Sequence, residues 1–167
     1  GWFITISAVA PGVTTTPGLW TGATSTSWNT GSNWDDGQVP SSSVAVNISS
    51  TNTQYSPTVN VNASCASITV ASGKTLSVSS SRTLTVGGAS DINGTLTGAG
   101  TFDANGTFDA NTGSITMSGR LKLGSTVSSL GTLSPSTGTV EYDGGTQTVK
   151  ADAYYNLEID QSGTKTS

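Results

Sequence analysis

The sequence predicts an all-β protein, a right-handed parallel β-helix closed at its N-terminal side by a tryptophan-rich cap. Three observations predict it. One short pattern runs three times without a gap between residues 67 and 90. The copies read Ser67-Ile68-Thr69-Val70-Ala71-Ser72-Gly73-Lys74, Thr75-Leu76-Ser77-Val78-Ser79-Ser80-Ser81-Arg82, and Thr83-Leu84-Thr85-Val86-Gly87-Gly88-Ala89-Ser90. Each sets two aliphatic residues two apart, a hydroxyl residue between them and small residues after, as in a short strand with one buried face and a tight turn. A period of eight is too short for a helical repeat; it suits consecutive sides of a solenoid whose coil takes roughly 24 residues.

The second observation is a lack of apolar residues at helical spacing with matching caps. The third is composition. Only 10% of residues are charged, against about 25% in an average globular domain, yet aliphatic and β-branched residues recur on alternate positions. That alternation favours ordered β-structure over the disorder a Ser-, Thr- and Gly-rich chain could suggest. An antiparallel β-sandwich is the alternative fold, because eight-residue strand–turn spacing suits it too. The unbroken repeat favours the solenoid.

Taken in order, residues 1–17 read as an edge strand of a preceding domain, with Ile4 and Ile6 alternating with Thr5 and Ser7, followed by a Pro/Thr linker. A remnant of a secretory apolar region ending at Ala10 is the other reading. No basic segment precedes it, so a mature form or an internal fragment is expected. Residues 18–66 form the Trp-rich cap and the first strands. Three of the four tryptophans, Trp20, Trp28 and Trp34, fall here. An open solenoid end exposes apolar surface and unpaired strand edges, and indoles are the bulkiest plugs available. Exposed, the same three indoles would offer a carbohydrate-stacking platform. Strands are expected at Val44–Ile48 and Thr58–Asn62, with a loop from Ser49 to Pro57.

Residues 67–167 carry the solenoid repeats. Past residue 90 the period changes: Asn93-Gly94-Thr95-Leu96 recurs twelve residues on as Asn105-Gly106-Thr107-Phe108. Asn-Gly pairs supply sharp corners, while Leu96, Phe102, Phe108, Ile115, Met117, Leu121, Leu123, Leu130 and Leu133 continue the inward side. Further strands are expected at 139–142, 147–150 and 155–159. No polar cap follows them, which predicts that the chain continues or stacks on another subunit.

Several motifs resemble a known group. Trp20-Thr21-Gly22, Ser27-Trp28, Ser32-Asn33-Trp34, Gly37 and Pro40 look like the opening of β-helical repeats in large bacterial surface and secreted proteins. Residues 138–149, with Gly138-Thr139-Val140-Glu141-Tyr142 and Gly144-Gly145-Thr146-Gln147, together with Tyr154-Tyr155-Asn156-Leu157-Glu158-Ile159, are similar to repeats in long adhesin-like proteins of the Bacteroidota. Many of those are exported by the type IX route. The resemblance implies a fold and an extracellular, cell-surface setting, and no catalytic residue.

The chemistry open to the chain is narrow. Without histidine there is no Ser-His-Asp triad and no imidazole base. One cysteine, Cys65, excludes a Cys-rich zinc site and an internal disulfide, and its small, near-core surroundings predict a buried, inert thiol. A net charge of −4 with six scattered basic residues argues against nucleic acid, and no apolar run is long enough to span a membrane. Four Asn-x-Ser/Thr sites, at Asn47, Asn62, Asn93 and Asn105, read as turn residues in so hydroxyl-rich a chain.

Carboxylates remain. Asp103 and Asp109 stand six apart in matching Asp-Ala-Asn contexts. They could serve as the acid and base of a β-helical polysaccharide-degrading enzyme. With Asn105 and Asn111 they could ligate Ca²⁺ at stacked turns. The plainer reading is solvated corners whose side chains cap backbone amides. Tyr142, Tyr154 and Tyr155 read as packed strand aromatics rather than a binding stripe. The expectation is a non-catalytic structural or adhesive segment with no required cofactor, whose partners are other copies or domains of the same surface protein, and glycans. A carbohydrate-binding module is the alternative.

Overall fold

The structure, a computed structural model, describes residues 14–49, 54–134, 137–160 and 163–167. The edge strand expected at Ile4 and Ile6 lies outside these residues. Among them no α-helix occurs, and a single turn of 3-10 helix spans Gly31–Asn33. The repeats form a parallel β-solenoid of three faces.

The first sheet stacks β1 (Ala45–Ile48), β4 (Ser67–Val70), β7 (Ser90–Ile92), β10 (Phe108–Asp109) and β13 (Val127–Ser129). The second stacks β2 (Thr58–Val59), β5 (Thr75–Val78), β8 (Thr95–Gly98), β11 (Ser114–Met117) and β14 (Thr132–Leu133). The third has six strands: β3 (Ala63–Cys65), β6 (Thr83–Val86), β9 (Thr101–Ala104), β12 (Arg120–Leu123), β15 (Thr139–Tyr142) and β17 (Asn156–Ile159). A last pair joins β16 (Gln147–Thr148) and β18 (Lys165–Thr166). Every strand pairs in parallel with the strand one coil away. The antiparallel sandwich is thereby excluded.

The three copies at 67–90 open β4, β5 and β6, one on each face, and β7 returns onto β4. The coil is shorter than 24 residues. Ala45 pairs with Ser67, a step of 22; Thr83 pairs with Thr101, a step of 18; Thr139 pairs with Asn156, a step of 17. The shortening happens at the corners. Four residues link β4 to β5, whereas Asn93 and Gly94 alone link β7 to β8, and Ala99 and Gly100 link β8 to β9. Such tight corners press backbone on backbone. A Cβ at Gly100 would lie 2.2 Å from the Ser79 carbonyl oxygen of the coil before, and one at Gly94 would lie 2.3 Å from that of Lys74. Only glycine fits so close an approach.

Period-two alternation turns one face of each strand inward, and exact stacking lines those residues into columns. On the third sheet, Leu84, Phe102, Leu121 and Val140 form one column; Cys65, Val86, Ala104, Leu123 and Tyr142 form the next. All are buried, as are Leu96, Phe108, Ile115, Met117 and Leu130. Phe102 and Phe108 meet edge to face across a corner, with ring centroids 6.2 Å apart. Burial pushes the Cys65 thiol up to about 12, so it stays protonated and unreactive.

Some strands escaped the sequence reading. The strand expected over Thr58–Asn62 stops at Val59 in β2, with β3 lying beyond it across a corner; β13 is not among the strands expected, and β18 lies past the last of them.

Candidate functional site

The first and last described coils of the solenoid differ. At the N-terminal end the backbone of the cap pairs with the first coil. Trp20 N–H donates to the Asn47 carbonyl (2.9 Å), and Asn47 N–H donates to that of Gly18 (2.9 Å). Trp28 N–H donates to the Thr58 carbonyl (3.0 Å), and Thr58 N–H to that of Thr26 (2.7 Å). The edges of β1 and β2 are thereby covered. Inside, Trp34 sits edge to face against both Trp20 (4.9 Å) and Trp28 (4.8 Å). Trp20 Nε1 donates to the Tyr55 carbonyl (2.8 Å) and Trp34 Nε1 to that of Trp28 (2.9 Å).

A buried side chain organises the loop that carries these indoles. The Asn33 Oδ1 accepts from Thr24 N, Thr24 Oγ1 and Ser25 N, at 2.8–2.9 Å, while Nδ2 donates to Ser25 Oγ and the Ser27 carbonyl. Both ends of the amide are satisfied, which is what permits a polar side chain there. The sequence shows Asn33 only as part of a motif. Its role needs residues 24–27 folded back on it.

The tryptophans form the expected cap, and a stacking platform is ruled out. Trp20, Trp28 and Trp34 are each no more than 2% exposed. None offers a ring face to a sugar, because all three fill the end of the hydrophobic column. The pairing of Asp103 with Asp109 is also corrected. The six residues between them cross a corner, so Asp103 lies in the third sheet and Asp109 in the first. Asp103 accepts from Thr85 Oγ1 (3.2 Å); Asp109 Oδ1 caps the Asn111 amide (3.1 Å). The register partner of Asp109 is instead Asp91, whose carboxylate accepts from Asn93 Nδ2. Asp103 and Asp109 thus stand on different faces of the solenoid, and Asn105 and Asn111 fall at two different corners. Among the described residues no group of three or more His, Cys, Asp or Glu side chains gathers as metal ligands would.

Beside the cap an uncharged groove of about 460 Å³ opens between Asn29, Val39 and Pro40 on one side and residues 61–64, Thr83 and Thr85 on the other. It follows the outer edge of β3, which no described strand covers.

The C-terminal end carries the charge. On the outer face of the third sheet, Asp103, Lys122, Glu141 and Glu158 stand in one register column, with Arg120 in the next. Arg120 bonds Glu141 (2.5 Å) and reaches across β15 to Glu158 of β17. Lys122 bonds Asp143 (2.9 Å) and lies 3.9 Å from Glu141. The hydrogen bond to Glu158, opposed by partial burial and helped by Glu141, holds Arg120 above its ordinary value; the same bond holds Glu158 below the usual carboxylate range. The Asp143 hydrogen bond likewise raises Lys122.

Inside this end, Tyr142 is the buried strand aromatic expected, Tyr154 packs half-buried against the core from outside any strand, and Tyr155 is exposed. Lys150 N–H donates to the Tyr142 hydroxyl (3.1 Å), which lies 3.1 Å from that of Tyr154, and Tyr154 donates to the Lys150 carbonyl. Burial, then the Tyr142 bond, raises the Tyr154 phenol. Gln147 Nε2 ties the Leu123 and Ser125 carbonyls (both 2.7 Å).

No helix among the described residues is long and apolar enough to cross a membrane. A family model described as a domain of unknown function, DUF8693, matches residues 19–127, well over half the chain. That span opens in the tryptophan cap and stops at the first residue of β13, short of Glu141 and Glu158. No curated protein and no solved structure matches.

Proposed function

For a chain that belongs to the DUF8693 family of domains of unknown function, we propose a mechanical role: a non-catalytic, rod-like segment of an extracellular bacterial surface protein or filament. The observation that carries this reading is the unbroken parallel pairing through the third sheet, β3 to β17, with each coil seated on the one before. Load applied along such a stack is shared by many short hydrogen bonds and by columns of interlocked side chains. Coils spaced about 4.8 Å apart make a short, stiff spacer. The polar, weakly charged surface and the resemblance of the Trp20–Pro40 and 138–159 motifs to surface-protein repeats support the extracellular setting. The separation of Asp103 from Asp109 supports a non-catalytic role.

Pulling single molecules from the two chain ends tests the mechanics. Coils of 17–22 residues should peel singly, each releasing about 60–75 Å of chain at roughly 3.5 Å per residue. Release of the whole stack in one low-force step would reject the rod. Antibody labelling of intact source cells tests the setting, and signal appearing only after lysis would reject it.

A further inference from the structure

The terminal strand β17 breaks a rule that the rest of the third sheet obeys. Val140 and Tyr142 of β15 are 6% and 0% exposed, whereas Leu157 and Ile159, which continue their columns, are 42% and 41% exposed, and the adjoining Tyr155 is 62% exposed. Three of the four large exposed apolar side chains among the described residues therefore belong to one coil. The backbone is equally open. Asp160 N–H donates to the Tyr142 carbonyl, so alternation points the Glu158 groups at β15 and the N–H and C=O of Leu157 and Ile159 at the free edge. Neither proline nor a bulge blunts it.

The sheet itself shows what fits such an edge. β12 carries Leu121-Lys122-Leu123, apolar–basic–apolar. It is flanked on one side by Phe102-Asp103-Ala104 of β9 and on the other by Val140-Glu141-Tyr142 of β15, both apolar–acidic–apolar. The terminal Leu157-Glu158-Ile159 has that same acidic pattern and follows another acidic strand. On this face two cations, Arg120 and Lys122, stand against four carboxylates, Asp103, Glu141, Asp143 and Glu158. The next position in the ladder calls for a cation.

We infer that β17 is a docking edge for a parallel β-strand of apolar–basic–apolar pattern, supplied by a further solenoid coil, which buries Leu157 and Ile159 and sets a Lys or Arg against Glu158. Docking adds backbone hydrogen bonds as in other strand additions, and the charge selects the partner. This deepens the mechanical reading, since it states how one rod is lengthened by the next.

The probe is a synthetic peptide copying residues 118–125, with Arg120-Leu121-Lys122-Leu123 at its centre, against a version with both cations replaced by Glu. Each is titrated into the full chain at low salt, followed by backbone NMR and amide exchange. The basic peptide should bind at least about tenfold tighter, with shifts centred on residues 156–159 and slowed exchange at Leu157 and Ile159. E158Q should cut the preference to about threefold or less, and E158K should invert it; E158Q keeps the side chain's size, so a fold defect in E158K alone leaves the comparison intact. Equal binding of the two peptides, no binding at millimolar concentration, or shifts centred elsewhere would overturn the inference. So would sedimentation showing that the chain alone dimerises with β17 protected, since the occupant would then be a second copy. Coil-by-coil peeling with no peptide binding would leave the rod standing and remove only the docking edge.

Discussion

The first and last described coils of this solenoid face the same physical problem and meet it with different chemistry. A coil buries its inward side chains only if another layer lies over them. At the N-terminal end that layer is Trp34, wedged between Trp20 and Trp28, with cap backbone paired to β1 and β2. At the C-terminal end, Leu157 and Ile159 stay exposed, and β17 is held by its pairing to β15 and by Arg120 reaching over from β12. Burial of a column is thus a property of the neighbour and not of the residue. Leucine at 121 is core; leucine at 157 is surface.

The strongest way to break the comparison is to remove the plug. Trp34→Ala deletes two edge-to-face contacts and a hydrogen bond, and leaves a cavity where collapse is limited by the paired cap backbone. It should cost about 3–5 kcal/mol in urea unfolding. Asn33→Ala should follow at about 1–2 kcal/mol, because the half-buried Thr24 and Ser25 amides and the Ser27 carbonyl lose their partner. Losses under 1 kcal/mol for both would mean that the cap is an ornament on a self-sufficient stack. At the last described coil Leu157→Ala should cost no more than about 1 kcal/mol, since the side chain is already 42% exposed.

Why the ends were unequally legible in the sequence follows from what each depends on. The strand pattern at 67–90 is local, since Ile68 and Val70 alternate with Ser67 and Thr69 whatever lies above them. The clustering of Trp20, Trp28 and Trp34 is nearly as local, and a bulky plug is its economical use. Coil length was misread because it is set at the corners, where Gly94 and Gly100 admit the backbone of a coil some 20 residues back. The proposed pair of Asp103 and Asp109 failed for the same reason. Matching sequence context around both residues concealed a corner between them, and only register shows that Asp109 lies beside Asp91. Arg120 and Glu158 are 38 residues apart. No spacing rule joins them; two successive register steps do.

The smallest expected effect sharpens the comparison most, because it is confined to one strand. Glu158 is held below its ordinary range by the Arg120 hydrogen bond. A carboxylate depressed in the folded state contributes stability that is fully present above its unfolded value, about 4.3, and is lost as pH falls through the lower folded value. Exchange protection of the β17 amides bonded to β15 should therefore hold from neutral pH to about 5 and decline below about 4. Added salt should weaken it as well, since both partners are solvent-accessible and an exposed pair is screened. Arg120→Gln should flatten both dependences while protection in β6 and β9, deep in the same sheet, stays unchanged. Equal loss of protection across β6, β9 and β17 on acidification would show that the stack melts as one unit. In that case the ionic strap would not be what distinguishes the terminal coil from the rest.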